Sequence, residues 1–416
     1  MREMKPSSME WIGDIPLSWK VMPNKYLMHK KKEICPAYNG EDILSLTMKG
    51  VIVRDLDAGG KMPASFDGYQ RLEPGNLLMC LFDIDVTPRC IGLIKQAGLS
   101  SPAYSQFVLS DSANAAYYCY YYTMLDNDKT LLHLAKNLRH SLTEDQLGAI
   151  PVIVPPIDEQ QRIADFLDAK CAEIDALVAD IQTQIDTLEQ YKRSVITETV
   201  TKGLDPNAEM KDSGIEWVGQ MPLAWDAVPN KYLMYKVKNI CPVYNGEDIL
   251  SLTTNGVIIR DLNGGGKMPT SFDGYQKVTP GNLLMCLFDI DVTPRCIGLV
   301  KKFGLTSPAY SQFVMRTGAY APYYYYYYLM VDYTKELLHM AKNLRHSLTE
   351  DQLGAIKAPN PPYEEQVQIA EFLDKKCVEI SRVIEDKNKQ LATLDEYKKS
   401  LIFEYVTGKK EVPCID

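Results

Sequence analysis

One internal repeat limits what this chain can fold into more than any other feature. Glu10-Trp11 returns as Glu216-Trp217, and the offset of 206 residues holds without insertion or deletion as far as Tyr191-Lys192 and Tyr397-Lys398. Whatever the first half builds, the second half builds again. Across 9–150 and 215–356 roughly three-quarters of positions are identical, whereas the stretches that follow agree at far fewer, mostly apolar, positions. A rod needs only its apolar seam, while a module held this strictly needs its surface too. Shared function, rather than recent copying alone, accounts for modules that stayed alike while their neighbours drifted.

The drifting stretches read as rods. Pro155-Pro156-Ile157-Asp158-Glu159-Gln160 and Pro361-Pro362-Tyr363-Glu364-Glu365-Gln366 each stop a preceding strand, place carboxylates in a first helical turn and lead into helical spacing. In the first rod Ile174, Val178, Ile181, Ile185, Leu188, Tyr191 and Val195 recur at three- and four-residue steps and wind one seam. In the second, Ile380, Ile384, Leu391, Leu394 and Leu401 supply a seam interrupted by Lys387 and Lys398. Each rod, if fully helical, is about 65 Å long. With a module between them the rods can pair within the chain only antiparallel, which puts a module at each end and relates the two by an approximate twofold axis.

Each module reads as sheet-rich. Short β-branched and aromatic runs at 43–46, 51–53, 77–82, 90–94 and 104–108 are separated by Gly and Pro turns. A tyrosine run, 117–122 apart from Cys119 and unbroken from Tyr323 to Tyr328, leads into a helical stretch at 131–135. Consecutive tyrosines point in all directions, so core or domain packing is expected of most of them rather than stacking on bases.

Composition narrows the class. Apolar content of 46% and charged content of 24% are those of a globular protein, and no apolar run approaches the ~20 residues of a membrane span. Met1-Arg2-Glu3-Met4-Lys5-Pro6 has no apolar block behind it, so no secretory signal is expected and the cytoplasm is the expected compartment. Eight of the ten cysteines are pairs of repeat equivalents and none forms a C-x-x-C motif, which predicts buried free thiols and no metal. Net charge is −9, but residues 1–150 and 213–356 are close to neutral and most of the acid lies on the first rod. Net charge thus gives nucleic-acid binding no support and does not exclude it.

In this arrangement the sequence resembles the specificity subunit of type I restriction-modification enzymes. The resemblance covers essentially the whole chain. It rests on Glu10-Trp11-Ile12-Gly13-Asp14-Ile15-Pro16, on Pro-Pro-x-x-Glu-Gln-x-x-Ile-Ala-x-Phe-Leu-Asp opening each rod, and on the closing Tyr397-Lys398-Lys399-Ser400-Leu401-Ile402 and Val406-Thr407-Gly408-Lys409. It implies an α+β fold with two homologous α/β target-recognition domains, at 1–154 and 207–360. Two long-helix spacers, at 155–206 and 361–416, would form an antiparallel coiled coil. It also implies a non-catalytic subunit that binds double-stranded DNA, two methyltransferase subunits and, in the full complex, restriction translocase subunits, with no membrane partner. S-adenosylmethionine, ATP and Mg²⁺ would belong to those partners, and no cofactor to this chain. Because the two readers are nearly identical, an inverted-repeat target with an unspecified spacer is expected.

Candidate DNA contacts are strictly repeated polar residues in predicted loops and at strand ends. Arg89 and Arg295 come first, since a guanidinium can hold guanine O6 and N7 bidentately; an internal pair with Asp83 or Asp85 is the competing role. Tyr104, Ser105 and Gln106, with Tyr310, Ser311 and Gln312, offer an amide for adenine, or else satisfy neighbouring backbone. Asn137, Arg139 and His140, with Asn343, Arg345 and His346, form a polar loop suited to phosphate anchoring or to helix capping. Lys25, Arg54 and Lys61, with Lys231, Arg260 and Lys267, are further phosphate candidates.

Two other classes compete. Asn360-Pro361-Pro362-Tyr363 spells the catalytic tetrapeptide of adenine-N6 methyltransferases, but no Gly-rich donor turn precedes it, and its repeat equivalent, Val154-Pro155-Pro156-Ile157, lacks both the asparagine and the aromatic. A coiled-coil scaffold that binds only proteins would explain the rods and leave the modules without a role. Asp83 and Asp85 lack the further acidic residues of a two-metal nuclease, and Gly264-Gly265-Gly266-Lys267 lacks phosphate-loop spacing.

Overall fold

The computed structural model describes residues 2–58, 63–135, 140–262, 269–341 and 346–413. Both rods are continuous helices, Ile157–Lys202 and Tyr363–Val406, of 46 and 44 residues. The chain divides into two compact units, Met1–Ile181 with Lys389–Asp416, and Gln182–Asn388. Each unit therefore holds one module and part of both long helices, a different partition from the linear succession of module and rod. The physical reason is the seam, because an apolar stripe on one helix is buried only by a second helix, and that helix comes from the other half of the chain.

In the first unit the core is a four-stranded antiparallel sheet in the order Met28–Lys31, Ser105–Leu109, Leu77–Met79, Ile91–Leu93. A hairpin, Leu44–Thr47 with Gly50–Val53, and a strand pair, Gln70–Leu72 with Gly98–Ser100, stand beside it over smaller apolar clusters. The tyrosine run forms the helix Ala115–Asn127, whose first free amide is satisfied when Tyr117 N–H donates to the Asn114 side chain at 2.9 Å. Tyr117, Tyr118, Tyr121 and Tyr122 are fully buried, so the run is core, as its all-round apolar character predicts. Three hydroxyls tie it to other elements: Tyr117 donates to Val406 O at 2.8 Å, Tyr118 to Ile153 O at 3.0 Å and Tyr120 to Asp168 Oδ1 at 2.7 Å.

The repeated helix entry is a latch. Glu159 accepts from the buried Trp19 indole at 2.9 Å and pairs with Arg2. Gln160, fully buried, donates to Pro155 O at 2.8 Å and Ser112 O at 3.0 Å while its carbonyl oxygen accepts from Asn114 N–H at 2.8 Å. An amide that completes three backbone partners inside the protein could not be replaced by an apolar residue without orphaning them. Ile163, Ala164 and Leu167 then bury the inner face. The second copy repeats the device with Glu365 on Trp225 at 2.9 Å and Gln366 on Tyr320, Gly318 and Pro361.

Within the first unit the helices run antiparallel. Phe166 packs on Tyr405 with ring centroids 4.4 Å apart, and further along Asp175 accepts from Lys398 at 2.6 Å. Within the second unit Gln184 accepts from Lys387, and Lys192 donates to Ser381 Oγ at 2.8 Å, again antiparallel. The two lysines that interrupt the second seam thus make interhelical bonds, a device that fixes register more than it adds stability. Tyr191, expected in the first seam, is instead 54% exposed, and Ile196 takes the buried side of that turn.

The second unit repeats the sheet as Met234–Val237, Ser311–Met315, Leu283–Met285, Ile297–Leu299, and the tyrosine helix as Ala321–Thr334. It differs where Cys119 and Asn127 of the first copy become Tyr325 and Tyr333. The Arg193 and Arg295 guanidinium carbons each lie 5.0 Å from the Tyr333 ring centroid.

Candidate DNA interface

The loop Asp83–Pro88 joins two strands of the main sheet and is held from below. Asp83 has a left-handed backbone, φ 47°, and its carbonyl accepts from Thr87 N–H at 2.9 Å and Thr87 Oγ1 at 2.8 Å. Ile84 is buried to 0% exposure, its N–H donating to His140 O at 3.2 Å. His140 Nδ1 lies 3.1 Å from Asp85 Oδ2 and, as the largest cause, holds that carboxyl below the usual carboxylate range. The second copy gives the same geometry, with His346 3.0 Å from Asp291.

Arg89, the first-choice reader, departs from expectation. Its guanidinium is turned inward, donating to Asp126 Oδ2 at 3.3 Å and Asn127 Oδ1 at 3.0 Å. The internal partner is therefore Asp126, not Asp83 or Asp85. Arg295 pairs with Asp332 at 3.5 Å in the same way and packs on Tyr333. A planar cation consumed by a buried carboxylate is a structural tie between the loop and the tyrosine helix. No sequence pattern marked Asp126, which lies 37 residues away on a different element.

Gln106 and Gln312 are also corrected. Gln106 is fully buried; its carbonyl oxygen accepts from Glu73 N–H at 2.8 Å and Asn76 Nδ2 at 3.3 Å, and its amide donates to Arg71 O at 3.1 Å. Gln312 does the same with Thr279, Asn282 and Lys277. Both ends of each amide are thus engaged inside the protein, away from any base edge. Ser105 and Ser311 are buried beside them. Tyr104 and Tyr310 are half-buried, stacked near Phe82 and Phe288 with centroids 6.1 and 6.4 Å apart, and burial raises their hydroxyl pKa.

Other candidates stay at the surface. Lys25 and Lys231 are exposed, each ammonium 5.2 or 5.1 Å from the ring of Tyr26 or Tyr232, and those rings are themselves largely exposed. A cation beside an open aromatic face suits a phosphate with its sugar or base, and Tyr26 and Tyr232 went unnoticed in the sequence. Arg54 and Arg260 sit half-buried just past the hairpin, their N–H groups donating to Ile43 O and Ile249 O at 2.7 Å. His140 and His346, as above, hold the Asp83 and Asp289 loops. Lys61, Lys267, Asn137, Arg139, Asn343 and Arg345 lie outside the described residues.

Among the described residues no cluster of His, Cys, Asp and Glu could hold a metal ion. The nine described cysteines are free, and burial raises the thiols at Cys80, Cys90 and Cys171, with Cys119 pushed up to about 11 and Cys296 to about 12, away from nucleophilic character. The methyltransferase-like Asn360 closes the strand Lys357–Asn360, where its side-chain Oδ1 accepts from the Tyr324 hydroxyl at 2.8 Å. No described helix is long and apolar enough to cross a membrane.

Comparison with known proteins agrees with this geometry. A sequence family described as "Type I restriction modification DNA specificity domain" matches residues 98–187, from the end of the sheet into the first long helix. Over that stretch the chain is similar to that family. Two relatives come from Methanocaldococcus jannaschii. The type I restriction enzyme MjaVIII specificity subunit is 26% identical over 284 residues, 63% of this chain and 63% of that protein. The putative MjaX specificity subunit is 25% identical over 293 residues, 65% of this chain and 62% of that protein. The match spans less than two-thirds of either relative's length. A chain from a structure on complex assembly and conformational transition of the type I R-M system shares the fold, with a TM-score of 0.70 at 12% identity over 95% of this chain and 99% of that one.

Proposed function

We propose that this chain is the non-catalytic DNA-reading subunit of a type I restriction-modification complex. Its two modules read the same short half-site on opposite strands, across a spacer whose sequence is not read. The observation that carries the proposal is the repeat itself: the loops 83–88 and 289–294 are identical in sequence and alike in backbone, while half-buried helix positions behind them have changed, Cys119 to Tyr325 and Asn127 to Tyr333. Loops ordinarily drift before cores, so identical loops over altered packing point to one shared ligand.

The long helices supply the docking faces for two methyltransferase subunits, and restriction translocase subunits join in the full complex, which works in the cytoplasm. Methyl transfer, with S-adenosylmethionine, and ATP- and Mg²⁺-dependent translocation belong to those partners. Mapping methylated bases in cells carrying this chain and its methyltransferase tests the reading. The expected motif is an inverted repeat around an unspecified spacer, and two unrelated half-sites would sink the symmetric version. Binding of methyltransferase subunits with no sequence-specific DNA binding, by the chain alone or in the complex, would favour a scaffold instead.

A further inference from the structure

We infer that Val86 and Val292 are specificity residues that read the 5-methyl group of a thymine in the major groove, one in each half-site. The inference rests on the proposed DNA-reading function and adds the residue and the chemical group it recognises. A valine at 73% exposure is the most open large apolar side chain among the described residues of the first unit, and Val292 shows the same 73%. Apolar groups left this open on a loop ordinarily drift to polar ones, yet the whole run 74–93 is identical to 280–299. The neighbouring tips do not share this: Met48-Lys49 becomes Thr254-Asn255, and Gln96-Ala97 becomes Lys302-Phe303.

The loop presents the valine as a fixed reader. Ile84 is anchored in the core, the Asp83 carbonyl is bonded twice by Thr87, and Asp85 is tied to His140. From the tyrosine helix's end, Lys129 donates to Thr87 O at 3.4 Å, and in the second copy Lys335 to Thr293 O at 2.8 Å. A β-branched side chain has one strongly preferred rotamer, so both methyls are positioned before binding and little entropy is lost on contact.

The surroundings select the partner. Asp83 is exposed beside the valine and its carboxylate has no partner among the described residues. An acceptor-only group next to an apolar tip matches the major-groove edge, where thymine methyls lie beside the amino donors of cytosine and adenine. A protein partner is ordinarily anchored by an aromatic residue or an arginine in a desolvated pocket, which one valine between two carboxylates does not offer.

The test uses the complex of this chain with its methyltransferase subunits and a duplex carrying the motif found by methylation mapping. Each thymine of the half-site is replaced in turn by deoxyuridine, which removes only the methyl. The wild-type complex should lose about fourfold in affinity at one thymine per half-site, and about fifteenfold when both are replaced, from the burial value of one methyl. The double variant Val86→Ala, Val292→Ala should bind the thymine duplex more weakly by that same factor and ignore the replacement. Both side chains are at the surface, so folding is retained. A wild-type complex that prefers its motif but is indifferent at every thymine, or a double variant that keeps the deoxyuridine penalty, overturns this inference alone. A double variant that loses its methyltransferase subunits instead shows a protein-docking valine and also overturns it. A complex with no sequence preference overturns the DNA-reading function beneath it as well.

Discussion

Replacing Arg89 by alanine separates a structural arginine from a base reader. The side chain is only 16% exposed, and the change deletes its bonds to Asp126 at 3.3 Å and Asn127 at 3.0 Å. Asp126 is not orphaned, because Cys90 N–H still donates to it at 3.1 Å and Lys129 at 3.3 Å. The cost is therefore that of a charged hydrogen bond, about 1.5–3 kcal/mol, not the larger cost of an abandoned buried charge. For a unit of about two hundred residues this lowers the melting temperature by roughly 3–12 °C. Asp126→Ala should cost more, about 3–5 kcal/mol, since it leaves two cations facing an empty site. Thermal or urea unfolding of both single variants and the double gives the coupling between them. DNA binding at permissive temperature should keep its base preferences. An Arg89→Ala protein that melts like wild type yet relaxes preference at one base position would refute the reasoning and restore the arginine as a reader.

Three further outcomes follow from other parts of the fold. At Gly408, φ is +72° and an added Cβ would stand 2.6 Å from Pro16 Cγ and 2.8 Å from Trp19 Cη2, so Gly408→Ala should destabilise by about 2–5 kcal/mol through strain plus overpacking. Gly214→Ala, at φ +65° with open space around it, should show only the strain, about 1–2 kcal/mol; equal unfolding midpoints for the two would contradict the packing of the second helix's end on the first module. The His140 bond depresses the Asp85 carboxyl, so its contribution to stability is present above the ordinary carboxylate pKa of about 3.9 and is lost as pH falls through the lower folded value. Carboxyl chemical shifts followed through acid titration, with Asp85→Asn as control, should show a low midpoint that returns toward normal in His140→Ala. Finally, with Cys119 pushed up to about 11 and Cys296 to about 12, these thiols should resist iodoacetamide at pH 8 until the chain is unfolded; rapid labelling of the native protein would argue against their burial.

Much of the fold is legible in the chain because periodicity and punctuation are local. The proline-led entries, the three- and four-residue seams and the 206-residue offset give two helices and two copies of one module. Every strand expected between Gly and Pro turns is present, though several are only three residues long. The site was less legible. Arg89 and Gln106 have the residue types that read bases, and only long-range partners reveal that both are spent inside the protein. Val86 carried no polar signal, so nothing in its chemistry marked it before its exposure was known.

By itself, then, the sequence determined that this chain is a duplicated module with helical spacers, since an exact offset and a helical period need no coordinates to be counted. Tertiary structure decided which polar side chains face outward. Whether a guanidinium or an amide is available depends on what lies within about 3 Å of it, and those neighbours, Asp126 for Arg89 and Arg71 O for Gln106, come from positions more than thirty residues away. It also decided that the compact unit is a module with part of each long helix, because a seam on one rod is buried only by the rod that folding brings back against it.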